Sequence, residues 1–416
     1  MSPKHSISYA IFSVACRYGD RVGVLLFIFV TLEEGRRRRQ RNKMKRLKIV
    51  AECSVPYIKG VAEKLGEVSY CPSEEFTPEL VKEADWLIIR STTKCNRALL
   101  EGSKVQLITS ATIGFDHIDT HFCHEAGITW YNAPGCNAEA VAQYFATAVA
   151  LRAVECGWSP CGKVIGIVGV GNVGRKVARN ARALGMKVLL NDPPRARAEG
   201  GDGFVSLREI AKEADIIAFH VPLIKEGRDR TVHLLDDTLV DELQRQPIIM
   251  NACRGPVTDT SALLRGLHEG KVADTVIDCW EGEPHISQEL LKHTLLGTPH
   301  IAGFSAQGKA NGARTCIEHG LEHFGLSLDS LAPLYPTPLA KPLLRLSTPQ
   351  PLWEALLQIF DIRGVDRTLR ERSSVFETLR REYHYPYEPS QYQLLRSEIG
   401  VWAEAAEGIG FQIVEG

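Results

Sequence analysis

One stretch limits what this chain can fold into more than any other: Gly162 to Asp192, GKVIGIVGVGNVGRKVARNARALGMKVLLND. A short apolar run, Lys163 to Val168, leads into Gly169-x-Gly171-x-x-Gly174. An amphipathic segment follows, and a second apolar run ends on an acid. The pattern predicts strand, glycine turn, helix and strand. A side chain at the turn would hold a pyrophosphate away from the backbone N–H groups of a helix N-terminus, so the glycines point to a dinucleotide. Asp192 stands 18 positions after Gly174, where a carboxylate accepts both ribose hydroxyls of NAD and repels the extra phosphate of NADP. Arg195, just past two prolines, weighs slightly the other way, because an arginine there can meet that phosphate.

A chain of 416 residues exceeds one compact core, so two or three domains are expected. The formal net charge of −1 provides no field for nucleic acid or an anionic membrane. The 11 cysteines are odd in number and form no C-x-x-C pair, which argues for reduced thiols in a cytoplasmic protein and against a disulfide framework or a zinc site. No metal is expected. Residues 1–43 read as an extension outside the fold, consistent with an upstream start. The apolar run Val22 to Val30 falls short of the roughly 20 residues a membrane span needs. Arg36 to Arg39 follow it, the reverse of a secretory signal. A membrane-associating segment with a basic flank is the alternative for this stretch.

From Met44 strands alternate with helices: KIVAE at 48–52, VSY at 68–70, DWLIIR at 85–90, QLITSA at 106–111 and ITWYNA at 128–133. Apolar strands with helical spacers indicate a parallel sheet covered on both faces. Arg90-Ser91-Thr92-Thr93-Lys94 and Ala111-Thr112-Ile113-Gly114 lie at carboxyl ends, the edge on which such sheets bind ligands. Asn137 reads as an N-cap, opening a helix whose apolar face is Ala140, Val141, Tyr144, Phe145, Ala148 and Val149. Strands at 215–219, 247–251 and 274–278 complete a doubly wound dinucleotide domain over 140–302. Residues 44–139 and 303–332 form a second α/β domain. Four prolines between Pro333 and Pro342 mark a stiff linker to a small α+β unit, 333–416, with a capping box at Ser374-x-x-Glu377 and a last strand at Phe411 to Val414.

Three later strand ends carry chemistry. Asn251-Ala252-Cys253-Arg254-Gly255-Pro256, Asp278-Cys279-Trp280-Glu281-Gly282-Glu283-Pro284 and Thr298-Pro299-His300-Ile301-Ala302-Gly303-Phe304 follow in order. Oxidising a 2-hydroxy acid needs a base for the hydroxyl proton, a cation for the carboxylate and a group that tunes the base. Histidine suits the first, because its proton equilibrium lies near neutrality. Arginine suits the second through its bidentate fork. A carboxylate beside an imidazole fixes its tautomer and favours imidazolium. Arg254, His300 and Glu283 fill these roles. His117, His220, His285 and His293 are rival bases without the same relation to the Arg and Glu motifs. Cys253 reads as a buried small apolar residue in preference to a reactive thiol.

The motifs GVGNVG, DPPR, NACRGP, DCWEGEP and HIAGF resemble the D-2-hydroxyacid dehydrogenase superfamily. NAPGCNAEAV at 132–141, FDIR at 360–363 and VFETLRREY at 375–383 most resemble, within it, the erythronate-4-phosphate dehydrogenase family of vitamin B6 biosynthesis. The resemblance implies a doubly wound NAD-binding Rossmann domain, a flavodoxin-like substrate domain and a small C-terminal α+β dimerisation domain, hence a homodimer. It implies Arg254, Glu283 and His300 as catalytic residues and Ser91, Thr112 and Phe304 at the substrate. Gly169, Gly171, Asn172, Val173, Gly174, Asp192, Val221, Ala252, Cys253, Asp278 and Gly303 would line NAD. Phe304 stands where a tyrosine is usual and Val221 where a threonine is common, so one polar contact to substrate and one to cofactor are missing. The implied reaction is oxidation of 4-phospho-D-erythronate to 2-oxo-3-hydroxy-4-phosphobutanoate. Alternatives are another D-2-hydroxyacid dehydrogenase, such as one acting on 3-phosphoglycerate, or a non-catalytic NAD-sensing protein.

Overall fold

The computed structural model describes residues 11–18, 21–28 and 46–416. Strands β1 (Ile11–Tyr18) and β2 (Arg21–Ile28) pair as an antiparallel hairpin in a unit of its own, Met1–Leu47. The rest of the expected extension lies outside the described residues. No described helix is long and apolar enough to cross a membrane. The ten cysteines from Cys53 to Cys316 are free thiols.

Residues 48–416 form the second unit, built on two sheets. In the first, β3 (Leu47–Glu52), β4 (Gly66–Cys71), β5 (Trp86–Ile89), β6 (Leu107–Ser110) and β7 (Thr129–Tyr131) take the order β4-β3-β5-β6-β7. The β3–β5, β5–β6 and β6–β7 pairs are parallel. Both faces of β5 and β6 are buried, as continuous apolar runs require. The helix Ala306–Phe324 packs on this sheet through two glycines: a Cβ on Gly320 would fall 2.0 Å from the Trp86 ring, and one on Gly312 would fall 2.7 Å from the Ala111 carbonyl.

The second sheet holds β8 (Val164–Val168), β9 (Lys187–Asn191), β10 (Ile216–Phe219), β11 (Ile248–Asn251), β12 (Asp274–Ile277) and β13 (Leu296–Gly297) in the order β13-β12-β11-β10-β8-β9, all parallel. The chain reverses direction across the sheet at β8, the kind of switch point at which open α/β sheets bind nucleotides. The two-residue β13 leaves almost no periodic signal, and the sequence marks only its end, at Thr298 to Phe304. A third, small parallel sheet joins β14 (Gln393–Leu395) to β15 (Gln412–Val414).

Helix Ala138–Cys156 differs from the one-faced helix expected. It is buried on nearly every side as far as Leu151, because Leu352, Trp353, Leu356 and Phe360 of the C-terminal segment share its core. Each large side chain so buried contributes about 1.5–3 kcal/mol. Asn137 does occupy the N-cap position, but its side chain makes no capping bond; it packs against Gly303 and Gly308 instead. The capping box at Ser374 is also absent. The turn Ser373–Val375 runs on directly from helix Ile362–Arg372, so Ser374 never adopts the extended backbone of a cap, and Val375 precedes helix Phe376–Arg381 without a side-chain bond.

Candidate active site

The glycine turn joins β8 to helix Asn172–Ala183, and its three glycines are there for different reasons. Gly169 has φ +90°, and a Cβ on it would meet the His220 carbonyl at 2.6 Å; a Cβ on Gly174 would meet the Gly169 carbonyl at 2.0 Å. Folding alone explains both. Gly171 has φ −76°, and a methyl added to it would find nothing within 4 Å, so neither backbone nor packing requires glycine there. The open space beside it leaves the helix N-terminus accessible to an anionic group. Asp192, at the end of β9, accepts the Val170 N–H at 2.9 Å and the Arg195 N–H at 3.1 Å, which holds its carboxylate beside the turn. The Arg195 guanidinium is committed elsewhere: it forks onto Glu199 at 2.7 Å and donates to the Val170 carbonyl at 2.6 Å. The donor and acceptor set therefore fits NAD.

Asn172 packs on Gly135 and accepts from Arg175. Val173 and Gly174 continue the first turn, Gly174 buried and Val173 half-buried. Val221 lies against the turn, 2.8 Å from the Cβ position of Gly169. Ala252 and Cys253 follow β11. The Cys253 thiol bonds to Asn251 Oδ1 at 3.2 Å, and burial pushes it up to about 11, so it is an inert thiol.

Glu283 and His300, 17 positions apart in sequence, meet: His300 Nδ1 lies 2.8 Å from Glu283 Oε2. The other carboxylate oxygen accepts the Trp280 N–H at 2.7 Å. Burial acts to raise the Glu283 carboxyl, but His300 and the Trp280 N–H outweigh it and hold it below the usual carboxylate range. An ionised carboxylate only accepts, so Nδ1 carries the hydrogen, and in a neutral ring the lone pair falls to Nε2. His300 has φ +56°, a left-handed conformation that costs a non-glycine residue about 1–3 kcal/mol.

Asp278, 1% exposed, sustains that strain. Its carboxylate accepts the Thr298 hydroxyl and the Ile301 N–H at 2.7 Å and the Ala302 N–H at 3.0 Å, while its carbonyl accepts the His300 N–H at 2.9 Å. Asp278, expected among the cofactor residues, thereby braces the loop that carries His300. Thr298 is further fixed by the Tyr144 hydroxyl and by Trp280 Nε1. Gly303 sits where a Cβ would fall 2.3 Å from Asn137 Nδ2.

Arg254 extends from the end of β11 to the edge of the first sheet. Its Nη2 would lie 2.2 Å from a Cβ on Gly114, so glycine there leaves room for the guanidinium in this pose. Nη1 donates to the Cys253 carbonyl at 2.7 Å, and Nη2 is 3.4 Å from the exposed Asp116 carboxylate. Most of the guanidinium fork remains available. Thr112 is partly engaged, donating to the Gly114 carbonyl at 3.0 Å and lying 2.8 Å from the Ser110 hydroxyl. Ser91 is exposed.

Sequence reasoning missed the residue that organises this edge. Glu52, at the end of β3, accepts the Arg90 N–H at 2.9 Å, the hydroxyls of Thr92 and Thr93 at 2.9 and 2.7 Å, and the Ser54 hydroxyl. Burial opposes its charge, yet these donors together hold it below the ordinary carboxylate value. An acid closing an apolar strand, as Asp192 does, was the available signal.

Three of the rival histidines differ from His300 in their surroundings. Burial lowers the pKa of His117, bonded to Ser110, to about 4, and likewise that of His220, whose ring nitrogens have no partner among the described residues. His293 is exposed and stacks edge-on against His268. Phe304 takes Lys309 over its face, with Nζ 3.3 Å from the ring centroid.

Residues 137–302 match the family described as "D-isomer specific 2-hydroxyacid dehydrogenase, NAD binding domain". The chain is 47% identical over 350 residues to erythronate-4-phosphate dehydrogenase of Bacteroides thetaiotaomicron, covering 84% of this chain and 99% of that protein. It is 40% identical to that of Escherichia coli (strain E2348/69) over 346 residues, covering 81% and 91%. Among solved structures it resembles NAD-bound 3-phosphoglycerate dehydrogenase of Entamoeba histolytica, with TM-score 0.58, 26% identity and coverage of 67% and 96%. D-lactate dehydrogenase of Aquifex aeolicus, solved with NAD and lactic acid, gives TM-score 0.55, 25% identity and the same coverage.

Proposed function

Because this chain belongs to the erythronate-4-phosphate dehydrogenase family, we propose a specific division of labour among its residues for the NAD-dependent oxidation of 4-phospho-D-erythronate to 2-oxo-3-hydroxy-4-phosphobutanoate in vitamin B6 biosynthesis. The observation that carries the assignment is the 2.8 Å contact between His300 Nδ1 and Glu283 Oε2. It leaves Nε2 as the free base. Arg254 grips the C1 carboxylate with its fork and polarises the C2 oxygen as a carbonyl forms. His300 Nε2 takes the C2 hydroxyl proton, so the O–H pair becomes the second C–O bond, and Glu283 stabilises the resulting imidazolium. NAD, when bound, supplies the acceptor for the hydride leaving C2.

Gly169, Gly171, Gly174 and Asp192 hold the cofactor, with Asn172, Val173, Val221, Ala252, Cys253, Asp278 and Gly303 around it. Ser91, Thr112 and Phe304 face the substrate, and Arg90 and Lys94 are on its phosphate side. The substrate domain comprises 44–139 and 303–332, the NAD domain 140–302, and 333–416 forms a homodimer contact in a cytoplasmic enzyme. The test is NADH appearance from purified protein with NAD and a panel of 2-hydroxy acids. Phosphoerythronate should be turned over in preference to 3-phosphoglycerate. Tight NAD binding with no turnover of any acid would overturn the enzymatic reading in favour of NAD sensing.

A further inference from the structure

Three metal-ligating side chains meet on the surface of the six-stranded sheet's domain, apart from the residues that serve the reaction. His268 is the last residue of helix Thr260–His268, and Glu289 and His293 stand four positions apart on helix Gln288–His293. That spacing puts a carboxylate and an imidazole on one helix face, and the neighbouring helix brings a second imidazole to it. One ligand atom from each residue lies within 4.8 Å of those of the other two. The two imidazole rings meet edge to face, with centroids 5.2 Å apart.

All three side chains are exposed, and among the described residues none of them makes a hydrogen bond or ion pair. Arg265, one turn before His268, is tied to Asp237, Asp241 and Glu269, which offset its charge. The helices beneath the ligands are fixed, because Leu263 of one and Leu290 and Leu291 of the other are buried in a single core. Ligands on packed helices are held near their bound positions before an ion arrives. Both histidines also close a helix, where unsatisfied carbonyls carry a partial negative charge that favours a cation.

The donor set selects the ion. Magnesium and calcium take oxygen ligands, whereas imidazole suits zinc, copper and nickel. Two imidazoles, a carboxylate and one water complete the tetrahedron that Zn²⁺ adopts. The other group with three such donors, Cys279, Glu283 and His300, is already engaged: Glu283 with His300 and the Trp280 N–H, and the buried Cys279 thiol with Asp278.

We propose that His268, Glu289 and His293 form a binding site for a divalent transition-metal ion of the Zn²⁺ class, which ties the two helices together. The cysteine pattern that argues against a zinc site says nothing of histidines drawn from separate helices. Each helix ends a few residues before the strand that follows it, β12 at Asp274 and β13 at Leu296. Both C-termini therefore lie at the amino edge of the parallel sheet, opposite the edge that carries Arg254, Glu283 and His300. The ion stabilises the domain and does not meet the reacting atoms.

Tag-free full-length protein, reduced and stripped of metal with a chelator, is titrated calorimetrically with Zn²⁺ alone. Wild type should bind one equivalent whose affinity His268→Ala and His293→Ala each lower by about 10-fold or more, and Glu289→Gln should weaken it as well. The metal-free melting temperatures of all four proteins should agree, because the replaced side chains are exposed and unpaired. An excess of Zn²⁺ should raise the melting temperature of wild type by about 1–4 °C more than that of His268→Ala. Wild type that binds no Zn²⁺, or binding and thermal shifts that survive both histidine replacements, would overturn the site. Loss of the same equivalent in Cys279→Ala, with the histidine variants unaffected, would overturn it in favour of the active-site donors.

Discussion

Replacing Gly171 and Gly174 separately by alanine divides what the fold demands of the glycine turn from what the ligand demands. In Gly174→Ala the new Cβ would fall 2.0 Å from the Gly169 carbonyl oxygen, more than 1 Å inside contact distance, and the obstacle is backbone. The helix must back away from β8, at the roughly 1–3 kcal/mol typical of overpacking. For a domain of this size that lowers the melting temperature by roughly 3–10 °C. In Gly171→Ala the new methyl meets nothing within 4 Å, and φ is −76°, open to any residue. Alanine is a poorer N-cap than glycine by up to about 1 kcal/mol, which a less flexible unfolded chain offsets by about 0.4–1 kcal/mol. Stability should therefore stay within about 1 kcal/mol of wild type.

Affinity should respond in the Gly171 variant, because the methyl occupies the approach to the helix N-terminus. Losing a charge-assisted contact of about 1.5–3 kcal/mol weakens NAD binding about 10- to 150-fold. Thermal denaturation and NADH fluorescence titration read the two effects independently. Wild-type NAD affinity in Gly171→Ala, or a loss of stability as large as in Gly174→Ala, would refute the reasoning.

Other perturbations test the remaining parts. His300→Asn should fold, because asparagine tolerates the left-handed φ at this position, while turnover falls about 10²- to 10⁴-fold with NAD affinity nearly unchanged; retained turnover would mean another base operates. Glu283→Gln keeps the shape of the contact but removes the charge that supports the imidazolium, so kcat should fall with little change in the NAD dissociation constant, measured by titration. Glu52→Gln places an amide among four donors and should cost about 1–3 kcal/mol in denaturant unfolding, with a raised KM as the Arg90–Thr93 turn loosens. The Glu52 carboxyl is held below the ordinary 4.5 of the unfolded chain, so its stabilisation is complete above about pH 4.5 and is lost as pH falls through the lower folded value. The acid-unfolding limb should therefore be shallower in Glu52→Gln; an identical limb would show that the carboxylate contributes nothing.

Local patterns read well where a residue's role follows from its own element. The strands at 48–52, 85–90, 163–168 and 247–251 appear within a residue or two of their observed ends, because burial on both faces leaves an unbroken apolar run. Arg254, Glu283 and His300 stood out because each closes a strand at the ligand edge. Asn137 and Ser374 failed as caps for the opposite reason: a cap depends on what precedes and surrounds it. At Asn137 the partner surfaces are Gly303 and Gly308, more than 160 positions away.

The sequence by itself determined that β8, the glycine turn and Asp192 would make a dinucleotide site, since strand, turn and helix are fixed by neighbours within about ten residues and by backbone hydrogen bonding. Only the tertiary structure decided which side chains share the space beside it. Gly114 leaves room for Arg254, and Asp278 holds His300 in a left-handed conformation. Those arrangements follow from how distant elements pack on one another, and such packing leaves no periodic trace along the chain.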